Sequence, residues 1–249
     1  MKWLILRGLV REQRHWHEFK GILENKLKSI DPKAEVHALD MAGFGTEVDR
    51  VSPKTISGIV DDIRERWLKL KTNPEDQWGI LAVSLGGMVA AQWTSHYPND
   101  FVKAVLINSS MSGLSPLHER MIPKNYPKVF QLLLSKNLVQ REKTILSMTT
   151  NFTREKIQSR AEKQAPYGEK VNRFNALFQI MAAVRFKAPQ KIRVPMLVLV
   201  ADGDSLVSPR CSDAIARQYQ AKIIRHPTAN HDLAGDDPDW IAQQVCEWY

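Results

Sequence analysis

Three reactive side chains stand just beyond the ends of apolar runs in this sequence, in the order serine, aspartate, histidine. Ser84 interrupts LAVSLGGMV (81–89), Asp204 lies in VADGDSLVSP (200–209), and His231 lies in PTANHDLAGDDP (227–238). A serine hydroxyl attacks a carbonyl at neutral pH only when a base takes its proton. An imidazole is that base when a carboxylate holds it in the right tautomer. The chemistry implied is acyl transfer through a covalent intermediate.

The neighbours of Ser84 suit this. A sharp strand-to-helix turn crowds the positions two before and two after its apex, and these are Ala82 and Gly86. Gly87 lets the following helix pack closely on the sheet. By itself the stretch fits a plain β–α turn equally well. Asp204 is the expected carboxylate; Asp202, nearer the strand, is the alternative and reads better as a turn residue. His231 is the expected base, against the alternative of a solvated loop histidine. The other histidines are placed less well. His15 and His17 fall beside the first helix, His37 and His226 within strands, His96 at a helix end and His118 among later helices. The first apolar run ends in LRGLVREQRHW, where Gly8 permits a tight turn. The backbone N–H groups of Leu9 and Leu85 are the expected pair of donors to a developing oxyanion.

Positioning such residues requires a scaffold, and six apolar runs supply its strands: 3–8, 34–40, 78–84, 101–109, 195–202 and 221–227. Most are continuous rather than alternating, as in a parallel sheet covered on both faces. Helix-like stretches at 15–29, 56–71, 87–96 and 209–220 alternate with them, and Asp237 and Pro238 open a last helix. The pattern predicts a three-layer α/β fold with right-handed crossovers. Residues 112–190 break the rhythm with helix-like pieces only, among them KVFQLLLSKNLV (128–139). An insertion of that length reads as a helical cap. The core is therefore expected at 1–111 and 191–249, with the cap at 112–190 inserted before the last two strands. Cap side chains such as Phe130, Leu132, Leu133, Phe174 and Leu177 could line an acyl pocket, but at helical spacing they fit cap core equally, so none is assigned to the site.

The stretches LRGL, LDMAGFGTE (39–47), AVSLGG, ADGDSLVSP and ANHDL together resemble the α/β-hydrolase-fold serine hydrolases along nearly the whole chain. The chain is most similar to the compact capped esterases related to pimeloyl-acyl-carrier-protein methyl ester carboxylesterase. The resemblance implies a mostly parallel sheet of about six strands with a helical cap, and a carboxylesterase using Ser84, Asp204 and His231 with the Leu9 and Leu85 amides. It also implies that no metal or organic cofactor is needed, and that the substrate is a small acyl ester or one carried by an acidic acyl carrier protein. Three positions depart from the family pattern: Arg7 replaces a histidine, Ala42 a proline and Ala82 a glycine. Arg7 either favours an anionic substrate or is paired with a nearby carboxylate.

Composition is ordinary for a soluble globular protein: 43% hydrophobic and 25% charged over 249 residues. Nothing reads as a membrane span, and MKWLIL is too soon followed by Arg7 for a signal peptide. The only two cysteines, Cys211 and Cys246, read as reduced thiols, as in a cytoplasmic protein. The net charge of +8 is concentrated in residues 112–192, which hold 15 Lys and Arg against 5 Asp and Glu. That surface could steer an acidic carrier or an anionic ester, or be merely solvated. No nucleic-acid motif accompanies it. A thioesterase, a carbon–carbon bond hydrolase, a lactonase and a non-catalytic binding protein remain as alternatives, since one fold carries many chemistries.

Overall fold

The computed structural model describes residues 1–249, apart from the side chain of Leu133. Six strands, β1 (Lys2–Leu6), β2 (Glu35–Ala38), β3 (Trp78–Val83), β4 (Lys103–Ile107), β5 (Met196–Ala201) and β6 (Lys222–His226), form one sheet. Their order is β2-β1-β3-β4-β5-β6, and every pairing is parallel. All six coincide with the expected apolar runs.

Strand alternation splits the core into two layers. Leu4, Leu6, Ile80, Ala82 and Leu106 face α2 (Ile56–Leu70) and α3 (Leu85–His96). Trp3, Ile5, Leu81, Val83 and Ile107 face α1 (Phe19–Lys28) and the C-terminal helix described below. In α2, Ile56, Ile59, Val60, Ile63 and Trp67 are buried, as their 3.6-residue spacing dictates. Full burial contributes about 1.5–3 kcal/mol for each aliphatic side chain of this size. The Trp67 ring meets Trp78 edge-on at 5.6 Å and Trp93 at 5.7 Å. This aromatic wedge locks α2 and α3 to the sheet.

Between β4 and β5 the chain forms helices, α4 (Leu117–Arg120), α5 (Tyr126–Leu134), α6 (Leu138–Thr149), α7 (Arg154–Gln164) and α8 (Arg173–Arg185), and one isolated bridge, Ser112 to Lys187. Two helix expectations need correction. KVFQLLLSKNLV is not one helix: α5 ends at Leu134, and the Asn137 side chain caps α6 by accepting from the Gln140 N–H at 2.9 Å. The stretch 15–29 is likewise divided, because His17 takes φ 48° and ends a short 3₁₀ turn (Gln13–Trp16) before α1. Three helices complete the chain: α9 (Pro209–Tyr219), α10 (Leu233–Asp236) and α11 (Pro238–Glu247). Asp237 caps α11 as expected, accepting from the Trp240 N–H at 3.0 Å.

The strand order explains where a site can form. The chain steps from β1 outward to β2, returns to β3, and then proceeds outward on the other side. The reversal between β1 and β3 opens a crevice at their C-terminal ends. Leu6 pairs with Ala82 in the β1–β3 ladder, so the turns after β1 and β3 begin side by side.

Candidate active site

Ser84 is the single residue between β3 and α3, and its backbone is forced to φ 55° and ψ −116°. A non-glycine residue there carries strain of about 1–3 kcal/mol, held by surrounding bonds. Those bonds are visible. The Ser84 N–H donates to the Ile107 carbonyl at 2.9 Å, and its carbonyl accepts from the Gly87 N–H (2.9 Å) and the Ser109 hydroxyl (2.8 Å). Gly86 has no room for a side chain, since a Cβ there would lie 2.6 Å from the Arg7 carbonyl oxygen. At Gly87 it would lie 2.6 Å from the Ser109 hydroxyl. Ala82, in contrast, is fully buried in the core and its methyl group is accommodated.

Gly8 has a different reason from the one expected. Positive φ falls not on Gly8 but on Val10, at 52°. What Gly8 provides is proximity: a Cβ would lie 3.1 Å from the Ser84 Cβ and 3.7 Å from its Oγ. The turn is pinned from above, because the Val10 N–H donates to the side-chain oxygen of the fully buried Gln179 at 2.9 Å. Leu9 and Leu85 both line the same cavity as Ser84.

His231 and Asp204 meet. The imidazole Nδ1 lies 2.7 Å from Asp204 Oδ2, while Asp204 Oδ1 accepts from the backbone N–H groups of Leu206 and Val207, each at 2.9 Å. The carboxylate is thus aimed by its own loop. Gly203 lets that loop close on the next, since a Cβ would fall 2.6 Å from the Thr228 carbonyl oxygen. Asp202 points elsewhere and pairs with Arg225 at the surface (2.8 Å). Burial pushes the His231 imidazole down, but the charge and hydrogen bond of Asp204, aided by Asp232, outweigh it. The group is held above its ordinary value of 6.5, with Arg7 opposing.

Three partners escaped the sequence reading: Asp232, Asn108 and Gln179. Arg7 grips Asp232 with two hydrogen bonds, 2.9 and 2.8 Å, and its guanidinium lies 4.8 Å from the Trp16 ring centroid. Of the two readings of Arg7, the paired one describes the structure. Burial raises the Asp232 carboxyl, yet the charge and hydrogen bonds of Arg7 prevail and hold it below its ordinary value. Asn108, at φ 46°, donates to the His231 carbonyl (2.9 Å) and accepts from the Ala201 N–H (2.9 Å), tying the ends of β4 and β5 to the histidine loop. Gln179 is the third. The one available signal was the polar Asn108-Ser109-Ser110 run after β4, which the sequence reading counted partly as strand.

A cavity of about 230 Å³ joins these residues, with Ser84 and His231 in its floor and α5, α6 and α8 contributing its other walls. Leu132 lines it; Phe130, Phe174 and Leu177 are instead exposed, and Leu133 lies outside the described residues. His231 is the one histidine in the lining among the described residues. The described residues contain no group of three or more His, Cys, Asp or Glu side chains arranged to hold a metal ion, and no helix long and apolar enough to cross a membrane.

The parallel sheet and the strained serine between β3 and α3 define an α/β-hydrolase fold. The chain belongs to the serine aminopeptidase S33 family, whose profile matches residues 30–238. Among solved structures it is similar to an enol-lactonase from Burkholderia xenovorans LB400 (15% identity, 99% of this chain and 90% of that one, TM-score 0.77). It is also similar to a hydrolase from Pseudomonas aeruginosa PA01 (18% identity, 99% and 89%, TM-score 0.76). A thermophilic esterase from Thermogutta terrifontis shares the fold too (16% identity, 100% and 89%, TM-score 0.73). No curated protein sequence matches the chain.

Proposed function

We propose that the protein is a serine hydrolase of carboxylic esters, with Ser84 as nucleophile, His231 as general base and Asp204 as its orienting carboxylate. One observation carries the reading. The 2.7 Å contact between His231 Nδ1 and Asp204 fixes the proton on Nδ1 and leaves Nε2 basic, in a cavity that Ser84 shares. His231 Nε2 takes the Ser84 proton as Oγ attacks the ester carbonyl. The Leu9 and Leu85 amides receive the oxyanion, and the protonated imidazole returns its proton to the departing alcohol. Water, deprotonated by the same imidazole, then releases the acid and restores the serine. Residues 112–190 act as a helical cap that encloses the acyl chain, since α5, α6 and α8 contribute apolar lining.

Family membership agrees with a hydrolase, and the esterase among the structural neighbours supports an ester as the bond cleaved. The S33 name raises peptide-bond hydrolysis as the competing reaction. The cavity lining argues for an ester, because its single carboxylate, Asp232, is already bound to Arg7 and offers no free partner for a substrate amino group. The test is labelling with a fluorophosphonate probe alongside turnover of p-nitrophenyl esters and aminoacyl anilides. Wild-type protein is expected to label and to cleave the esters, and Ser84→Ala to do neither. Labelling that persists in Ser84→Ala, or cleavage of anilides in preference to esters, refutes the assignment.

A further inference from the structure

Five arginines line the cavity, and their partners divide them. Arg7 is neutralised by Asp232 and Arg11 by Glu142, the latter at 2.6 Å. The Arg120 guanidinium donates to the Ala183 carbonyl (2.6 Å) in the last turn of α8, where a helix's free carbonyls attract a cation. Arg173 donates one bond, to the Ser135 carbonyl at 3.0 Å. Arg141 has no side-chain hydrogen bond or ion pair with any described residue, and its chain neighbour Glu142 is taken by Arg11. Burial first, and the charge of Arg173 second, push the Arg141 guanidinium below its ordinary value. Two like charges therefore meet at one wall of the cavity, Arg141 half-buried and Arg173 exposed, and the carboxylate beside Arg141, Glu142, is already paired with Arg11.

Their place in the cavity gives this a meaning. The far end of α6 reaches the histidine loop, where the Thr149 carbonyl accepts from the Asp232 N–H at 2.7 Å. Arg141 lies eight residues earlier on the same helix, about 12 Å along its axis. Arg173 opens α8, and between these arginines and His231 the wall is apolar, formed by Ile145, Ala176 and Ile180. A chain lying in this cavity would have its reacting end at Ser84, its middle on apolar surface and its far end at two cations. We propose that Arg141 and Arg173 form an anion subsite. The substrate is then an ester whose end remote from the reacting carbonyl carries a carboxylate or a phosphate. This rests on the serine-hydrolase reading for which end reacts, but the anion subsite can be measured without turnover.

The experiment is titration calorimetry on intact Ser84→Ala protein. The ligands are monomethyl esters of dicarboxylic acids of increasing length, each compared with its uncharged dimethyl ester. At the length that spans the cavity, the charged ester is expected to bind at least tenfold more tightly. Arg141→Gln/Arg173→Gln is expected to erase that advantage while leaving dimethyl ester affinity unchanged. The two single variants give the same answer, each losing part of the advantage, if the double variant does not fold. A matched ester ending in phosphate decides which anion the subsite prefers. No binding of either charged ester, equal affinity for charged and uncharged esters, or an advantage that survives both substitutions overturns the proposal. If wild-type protein binds the charged ester yet hydrolyses nothing, the catalytic reading fails and the anion subsite stands.

Discussion

Arg7 and Asp232 form a two-bond ion pair beside His231, so the arginine spends its charge on the protein. Arg7 is buried and Asp232 mostly so, and removing one partner would leave the other desolvated and uncompensated. Arg7→Ala is expected to cost about 3–5 kcal/mol of stability by urea denaturation. Arg7→Met/Asp232→Leu should recover most of that loss, because replacing both charges removes the penalty. A single variant as stable as wild type would mean that water reaches Asp232 freely. The depressed Asp232 carboxyl adds an acid limb: its stabilisation is present above its ordinary value of 3.8 and is lost as pH falls through the lower, folded value.

His231 sets a second pH dependence. Its folded value lies above 6.5, so protonation favours the folded state. That contribution is complete below pH 6.5 and fades as pH rises through the folded value. In the proposed mechanism catalysis runs the other way, since His231 must be neutral to act as base. The acidic limb of kcat/KM is expected above pH 6.5 in wild type. In Asp204→Asn, where burial acts without its counterweight, it should fall below 6.5, with kcat reduced by about 10⁴-fold. An unmoved limb would assign the titration to another group.

Asn108 is expected to act as a positioning residue. Asn108→Ala frees the His231 carbonyl and the Ala201 N–H and places alanine at φ 46°; a loss of about 1–3 kcal/mol should follow. Asn108→Gly relieves the backbone but not the hydrogen bonds. If kcat falls in both while KM holds, the side chain's bonds position His231. Full activity in Asn108→Gly would leave only the backbone conformation to explain.

Ala82 and Gly86 flank Ser84 but should respond differently. Ala82→Gly is expected to keep full probe labelling and lose about 0.5–1 kcal/mol, the cost of glycine inside a strand. Gly86→Ala forces a Cβ to within 2.6 Å of a backbone carbonyl oxygen. Labelling rates and melting curves should both drop, by about 1–3 kcal/mol in stability. Equal behaviour of the two variants would contradict the crowding seen at Gly86 alone.

The strands were legible because six runs of apolar residues leave little choice but burial on both faces. Ser84, Asp204 and His231 stood out because polar residues follow those runs directly. Helix breaks at His17 and Ser135 were not legible, as neither glycine nor proline marks them and only tertiary packing sustains the His17 backbone.

By itself, then, the sequence determined the sheet, the order of its layers and which loops gather at one edge, all consequences of local periodicity and chain connectivity. The tertiary structure decided everything that depends on a distance between remote residues. It placed Asp204, not Asp202, 2.7 Å from the His231 imidazole, and bound Arg7 to a carboxylate 225 residues away. It also left Arg141 with no direct ion pair among the described residues, its neighbour Glu142 being bound to Arg11. Pairing of charges is a property of space, and no spacing along the chain encodes it.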